Sequence, residues 1–375
     1  MSKIAILLPS LHGGGAERVM LNLAANFVQQ GWQVDLVLVK AEGPYLTQVP
    51  PEVNIINLGG KRLLLSLSNL IRYWRQVRPD FLMCGENDVS IVALAIRNLV
   101  GVKTKLIITV HNNLSQETRN ATKLKKRLTG YFARWLYPSA DQIVSVSQGV
   151  AKDLAGIIGL PLERIQVIYN PVVTPVMLEQ ATEQVDHPWF AVDAPPVILG
   201  VGRLIEQKDF PTLIQAFALV RKTHRAKLMI LGEGKERSNL EALVKELGLE
   251  SEVMLPGFVD NPYAYMAQAS LCVLSSGWEG FGNVLVEAMA VGTPVVSTNC
   301  ESGPAEILDN GQYGKLVAVG DIPALAQAIV NTLQHPPDST ILRQRSGHFT
   351  AQASASQYLQ MLSFGVTKKL SVHSA

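Results

Sequence analysis

The sequence predicts an α/β fold of two Rossmann-like halves, each a parallel sheet covered by helices on both faces. Three observations predict it. An apolar strand, a glycine turn and an amphipathic helix open the chain at Ile4, and the same order starts again at Val197. Short apolar runs alternate with helical stretches through both halves. The chain's 375 residues exceed what one core usually organises, and Pro171, Pro175, Pro188, Pro195 and Pro196 punctuate the stretch between the halves.

Composition narrows the class. Apolar residues are 47% and charged residues 17%, which fits a soluble, core-rich protein and excludes a disordered one. The net charge of +2 hides an asymmetry: residues 1–170 carry 19 basic and 11 acidic side chains, and residues 171–375 carry 14 and 20. A basic half joined to an acidic half points to surfaces with different partners. Cys84, Cys272 and Cys300 are too few and too scattered for a disulfide framework or a metal cluster. Met1-Ser2-Lys3 runs straight into a short strand-like run rather than a signal peptide, and no apolar run is long enough to span a membrane. These features predict a cytoplasmic protein.

In the first half, strands are expected at Ile4–Pro9, Gln33–Val39, Phe81–Cys84, Lys105–Val110 and Gln142–Val146. Gly13, Gly14 and Gly15 lead into a helix from Ala16, a geometry that presents backbone N–H groups to an anion. The spacing is not Gly-x-Gly-x-x-Gly and lacks a P-loop lysine, which lowers the dinucleotide and NTPase readings. His111 follows the strand Lys105–Val110, where ligands of open α/β sheets collect; it is either a functional histidine or a polar loop residue bonded to backbone. Ser145 and Ser147 are weaker candidates that suit a helix cap.

Two basic stretches contain no acid. Residues 60–79 hold Lys61, Arg62, Arg72, Arg75 and Arg78 among leucines and Trp74. Residues 118–137 hold Arg119, Lys123, Lys125, Lys126, Arg127 and Arg134, with Leu124, Leu128, Tyr131, Phe132 and Trp135 at helical spacing. Such helices either dock on an anionic membrane or pack an apolar face on the core and solvate their charges. No recognised module accompanies the charge, so nucleic acid is not expected as a partner.

Leu160 to Val172 reads as the last strand region of the first domain, taken as residues 1–170, and 171–195 as a linker. The second domain, 196–340, opens with Val197–Leu204. Arg203 and Lys208 stand five apart before the helix Phe210–Val220, two cations that suit a departing diphosphate or, alternatively, an ion pair with Glu206 or Asp209. Ala226–Leu231, the Gly232-Glu233-Gly234 turn, a helix over Lys235–Leu247, Val253–Phe258 and Ala269–Ser275 follow. The chain then reaches Gly277-Trp278-Glu279-Gly280-Phe281-Gly282-Asn283, with Glu287 eight residues after Glu279 in an apolar helical run. A carboxylate before a helix N-terminus and another in its second turn suit different hydroxyls of one polyol ligand. Beyond Thr293–Thr298, Ser302 and Gly303 are further candidate N–H donors, and Glu306 suits a helix start. Residues 341–365 are expected as a terminal helix with a break near Gly347, and 366–375 as a disordered tail.

The strings Gly-Gly-Ala-Glu-Arg, Val-Gly-Arg-Leu with Lys208, and Glu279-Gly-Phe-Gly with Glu287 occur in order between residues 3 and 362. Together they resemble the retaining group-1 (GT4-type) glycosyltransferases. That resemblance implies a GT-B fold: two Rossmann-like domains facing each other across a cleft, with the terminal helix crossing back to the first. It implies a nucleotide-diphosphate-sugar donor, UDP-linked by preference, held mainly by the second domain, and a glycan or lipid-linked acceptor on the first. Glu279 would hold the donor sugar and Glu287 the ribose. Arg203 and Lys208 would neutralise the diphosphate without a metal, since no Asp-x-Asp triplet occurs. Gly14, Gly15, Gly202, Gly232, Phe281, Gly282 and Asn283 would line the donor, and His111 would touch the donor sugar or organise the acceptor. No cofactor is implied. Contact with an anionic membrane surface fits the basic first half. The competing readings are an epimerase or hydrolase on the same scaffold and a non-enzymatic sugar-nucleotide-binding protein.

Overall fold

A computed structural model describes residues 2–120 and 127–367. The chain divides into two compact units, Met1–Pro171 with Ala351–Ala375, and Val172–Thr350.

The first unit is built on seven strands: β1 (Lys3–Leu8), β2 (Gln33–Leu38), β3 (Asn54–Asn57), β4 (Phe81–Cys84), β5 (Lys105–Val110), β6 (Gln142–Ser145) and β7 (Ile165–Val167). They lie in the order β3-β2-β1-β4-β5-β6-β7, every neighbouring pair parallel. The inner strands are buried along nearly their whole length, as a sheet covered on both faces requires. The helices Gly15–Gln29 and Ala351–Thr367 cover one face together, where Phe27 meets Tyr358 edge-on with ring centroids 6.3 Å apart. The helices Leu67–Val77, Asn87–Val100, Thr129–Leu136 and Gln148–Ile158 pack side by side in that order. Their crossovers run in the opposite sense to that of helix Gly15–Gln29, so a right-handed connection lays them on the other face.

The second unit repeats the plan with β8 (Val197–Val201), β9 (Lys227–Leu231), β10 (Val253–Gly257), β11 (Leu271–Leu274), β12 (Val295–Thr298) and β13 (Lys315–Val317). Their order is β10-β9-β8-β11-β12-β13, again parallel throughout. In each unit the chain winds outward from its first strand and then returns to pair with that strand's other edge. That reversal opens a crevice beyond the strand ends, here beyond β1 and β4 and beyond β8 and β11.

Three stretches differ from the sequence expectation. Strand β3 was not expected, because Asn54-Ile55-Ile56-Asn57 is a short, largely exposed edge with no apolar run. Residues 171–195, expected as a linker, carry a helix at Pro175–Gln180 whose Met177 is buried in the second unit's core. The expected terminal helix is two helices. Ser339–Ser346 stays with the second unit, where the Arg345 guanidinium donates to the carbonyls of Ile307 and Glu306; only Ala351–Thr367 packs in the first. Thr350, extended after the turn Gly347–Phe349, separates them. Lys123, Leu124, Lys125 and Lys126 of the second basic stretch, and residues 368–375 of the expected tail, lie outside the described residues.

Candidate active site

In the second unit, two loops leave adjacent strands at the reversal point, and hydrogen bonds stitch them together. The loop after β8 carries Gly202, Arg203, Gln207 and Lys208; the loop after β11 carries Ser275 to Gly282. Gly277 N–H donates to the Gln207 carbonyl at 2.8 Å, and the Gln207 amide donates to the Trp278 carbonyl at 2.9 Å. Ser275 Oγ donates to the Lys208 carbonyl at 2.8 Å. With its backbone fixed on both sides, Lys208 reaches over Gly202, where an added Cβ would lie 3.1 Å from Lys208 Cε.

Lys208 Nζ meets Glu279 Oε1 at 2.5 Å, and Ser276 Oγ donates to that same oxygen at 2.7 Å. Side-chain exposures of 16% for Lys208 and 8% for Glu279 make this a largely desolvated pair. Its cost is offset by the extra hydroxyl bond and by short distance. Lys208 therefore pairs with neither Glu206 nor Asp209. Asp209 caps the helix Phe210–Arg221 instead, accepting from Thr212 N–H and Thr212 Oγ1, and burial raises its carboxyl above the usual range. Arg203 is exposed and makes no ion pair among the described residues.

Backbone crowding explains the glycines here. Gly232 has φ +138°, and a Cβ on it would sit 2.0 Å from the Gly202 carbonyl oxygen. Gly303 has φ +90°, and its Cβ would lie 1.8 Å from the Phe281 carbonyl oxygen. Gly282, at φ +101°, turns the chain into the helix Asn283–Val291. Phe281 is buried, its ring edge-on to Phe349 at 5.5 Å. Glu287 stands in the second turn of that helix. The buried Cys272 thiol on β11 is pushed up to about 12, by burial first and by the Glu287 carboxylate second. The Cys300 thiol is pushed up to about 12 by burial first, with the Glu279 carboxylate raising it and the Lys208 ammonium lowering it. The second unit thus brings together Arg203, Lys208, Glu279, Glu287, Gly202, Gly232, Phe281, Gly282 and Asn283 around the ends of β8 and β11.

Gly14, Gly15 and His111 belong to the first unit. The N–H groups of Gly13 and Gly14 donate to one oxygen of the buried Glu17, at 2.7 and 2.5 Å. The Gly14 N–H read as an anion donor is therefore committed to a carboxylate of the following helix. His111 stands beyond β5, its Nε2 3.1 Å from Thr109 Oγ1 and its Nδ1 buried without a partner. Burial pushes the imidazole down to about 4, so it is neutral at physiological pH. The loop after it is held by Glu117, which accepts from both Asn112 and Asn87 at 3.0 Å. Ser145 Oγ donates to the Ser147 carbonyl, and Ser147 caps the helix Gln148–Ile158, so both serines have structural work.

Glu17, Ser276 and Gln207 were not singled out from the sequence. A Glu in the first turn of a helix is a capping signal that would have found Glu17. Ser276 and Gln207 carry no local signal, since their partners are set by the pairing of β8 with β11.

Comparison with known proteins agrees with this architecture. Residues 183–348 match the model for glycosyl transferases group 1, and residues 13–174 that for glycosyltransferase family 4. The chain is 31% identical over 347 residues to the N-acetylgalactosamine-N,N'-diacetylbacillosaminyl-diphospho-undecaprenol 4-alpha-N-acetylgalactosaminyltransferase of Campylobacter jejuni, covering 89% of this chain and 91% of that one. It is 30% identical to the lipopolysaccharide core biosynthesis glycosyltransferase LpsE of Rhizobium meliloti, over 93% of this chain and 96% of that one. Among solved structures, Anabaena HepE in complex with UDP-glucose superposes with a TM-score of 0.80 at 22% identity, covering 97% of this chain and all of the other. The fold is GT-B. The chain belongs to the group-1, GT4-type glycosyltransferases.

Proposed function

We propose that this glycosyltransferase moves a hexose or N-acetylhexosamine from a nucleotide-diphosphate sugar, preferably UDP-linked, to a glycan or lipid-linked acceptor, with retention and without a metal, in surface polysaccharide or glycolipid synthesis. The observation that carries it is the Lys208–Glu279 pair, braced by Ser276 and set before the N-terminus of helix Asn283–Val291. A cation and a carboxylate held in contact suit the two ends of one ligand, a diphosphate and a sugar hydroxyl. In this reading Lys208 and Arg203 meet the diphosphate, Glu279 the donor sugar and Glu287 the ribose, while His111 stays neutral and hydrogen-bonds the sugar or the acceptor. The bond from the sugar's anomeric carbon to phosphate breaks as the acceptor oxygen bonds to the same face. The acceptor proton passes to a departing phosphate oxygen, and the nucleotide diphosphate leaves.

The names of the Campylobacter relative, with its undecaprenol diphosphate, and of the UDP-glucose complex support the acceptor and donor classes. A lipid-linked acceptor puts the enzyme in the cytoplasm at the inner face of the membrane, although no described helix is long and apolar enough to cross one. The test is nucleotide release from UDP-, GDP- and ADP-sugars with EDTA present and lipid extract as acceptor. Acceptor-dependent release from a UDP-sugar is expected, with the anomeric configuration kept in the product. Strict dependence on added metal overturns the metal-free reading. Full turnover without any acceptor favours an epimerase or hydrolase, and donor binding unchanged by Lys208→Ala favours a non-catalytic binder.

A further inference from the structure

The helix Ser339–Ser346 carries two arginines in its last turn, and each donates to backbone carbonyls at the end of another helix. Arg343 reaches the carbonyl of Val291, the last residue of the helix Asn283–Val291, at 3.0 Å. It lies so close that a Cβ on Gly292, at φ +91°, would stand 2.6 Å from its Nη2. Arg345 reaches the carbonyls of Glu306 and Ile307 at 2.6 and 2.8 Å, where the short helix Pro304–Ile307 ends. A cation at such an end satisfies carbonyls that have no partner within their own helix. The Arg345 guanidinium also lies 5.2 Å from the ring centroid of Tyr313 and 5.4 Å from that of Phe349.

Three contacts lead from Arg345 to the loop that follows Glu279. Phe349, against the guanidinium, meets the ring of Phe281 edge-on at 5.5 Å, and both rings are buried. Ile307, whose carbonyl Arg345 holds, has its Cδ1 3.7 Å from where a Cβ on Gly282 would stand, so its side chain lies against that glycine. Gly303 passes the Phe281 carbonyl with no room for a Cβ, and its own carbonyl accepts from the Ile307 N–H at 2.8 Å. Arg345 is common to all three routes. An anchor for its own helix would explain the two hydrogen bonds. It would not require the ring stacked on the guanidinium to be the one that touches Phe281.

We propose that Arg345 is a positioning residue for the donor, acting through Phe349, Ile307 and Gly303 on the backbone of Phe281, Gly282 and Asn283. The inference rests on the reading above, in which those last three residues line the donor. The loop needs such support. It turns at Gly282, with φ +101°, and the helix Asn283–Val291 starts without a side-chain cap. A glycine turn has many conformations open to it, so its neighbours must impose one. A misplacement on the order of 1 Å in a group that orients a substrate costs up to roughly 100-fold in rate. The planar fork that bonds two carbonyls while stacking on a ring belongs to arginine and not to lysine.

The test is Arg345→Gln in the full chain, with Arg345→Lys beside it and Arg221→Gln as control. Arg221 binds the Glu252 carboxylate and the His224 carbonyl elsewhere in the second unit. Nucleotide release is measured with UDP-glucose and UDP-N-acetylgalactosamine as donors and lipid extract as acceptor, and hydrogen exchange is followed by mass spectrometry. Both Arg345 variants are expected to lower kcat roughly tenfold, with the donor KM within about threefold. Faster exchange is expected only over residues 279–291 and 302–307. Arg221→Gln is expected to keep kcat within about twofold, even at an equal loss of melting temperature. If Arg345→Gln does not fold, Phe349→Leu removes the ring contact, leaves both carbonyl bonds in place and is expected to give the same local exchange and loss of kcat. An unchanged kcat overturns the proposal. Exchange that rises evenly across the second unit marks a purely structural anchor and also overturns it. Absence of release from the unchanged chain with either donor overturns the donor reading alone, and exchange over residues 279–291 then decides whether Arg345 holds the loop.

Discussion

The two units open with the same element, a strand, a glycine loop and a helix, yet the loops end in opposite states. In the first, Glu17 reaches back from its own helix and takes the N–H groups of Gly13 and Gly14. The loop closes on itself within five residues. In the second, Lys208 finds its partner 71 residues away, on the loop after β11, and Arg203 remains exposed. A local cap stabilises a helix start. A contact between separate loops holds two groups of opposite charge together at the ends of two strands. The glycine loop alone does not distinguish these cases; the origin of the partner does.

The sharpest way to break this contrast is to remove each partner in turn. Lys208→Ala is expected to lower the transfer rate roughly 10²- to 10³-fold in a nucleotide-release assay. Glu17→Ala should change that rate by no more than about threefold once the protein is folded. Comparable losses at both positions would mean that the first loop also serves the reaction directly. Next in size is backbone crowding. Gly303→Ala pushes a Cβ against the Phe281 carbonyl at a left-handed φ, and is expected to cost on the order of 3 kcal/mol or more in urea unfolding.

His111 gives a pH signature of the first unit. Unfolded imidazole protonates near its ordinary 6.5, whereas burial delays the folded one to about 4. Between those values the unfolded chain binds more protons, so stability falls as pH falls through that window, by an amount on the order of 2–3 kcal/mol. Denaturation midpoints from pH 7 to pH 4 should fall less steeply in His111→Asn. Glu17→Ala follows, with a loss of about 1–2 kcal/mol as two loop N–H groups lose their acceptor. Smallest is Gly14→Ala. Gly14 has φ −81° and the nearest atom to a Cβ is a Glu17 oxygen at 3.3 Å, so a cost below about 1 kcal/mol is expected in the same urea titration.

Much of the fold was legible because buried parallel strands are written as apolar runs. Ile4–Leu8, Lys105–Val110 and Val197–Val201 all show it, and glycine turns mark where two of them end. Strand β3 was not legible, since an exposed edge strand needs no apolar pattern. Nor was the assignment of the helix Ser339–Ser346 to the second unit, because it depends on Arg345 reaching the Glu306 and Ile307 carbonyls rather than on periodicity. At the site, Lys208 and Glu279 were recognisable by residue type and setting, but their contact was not. That contact, with Ser276 added, follows from β8 lying beside β11, a pairing between strands 70 residues apart that local spacing does not encode. The amphipathic helix at Thr129–Leu136 was visible as a pattern, while the side it turns outward emerged only from packing.

The close approaches at Gly232 and Gly303 bear on how descendants of this chain lose activity. Both glycines are demanded by neighbouring carbonyl oxygens of the chain itself, and a copy that had ceased to catalyse would still need them in order to fold. The glycine signature therefore marks the architecture, and would outlast the activity as its fossil.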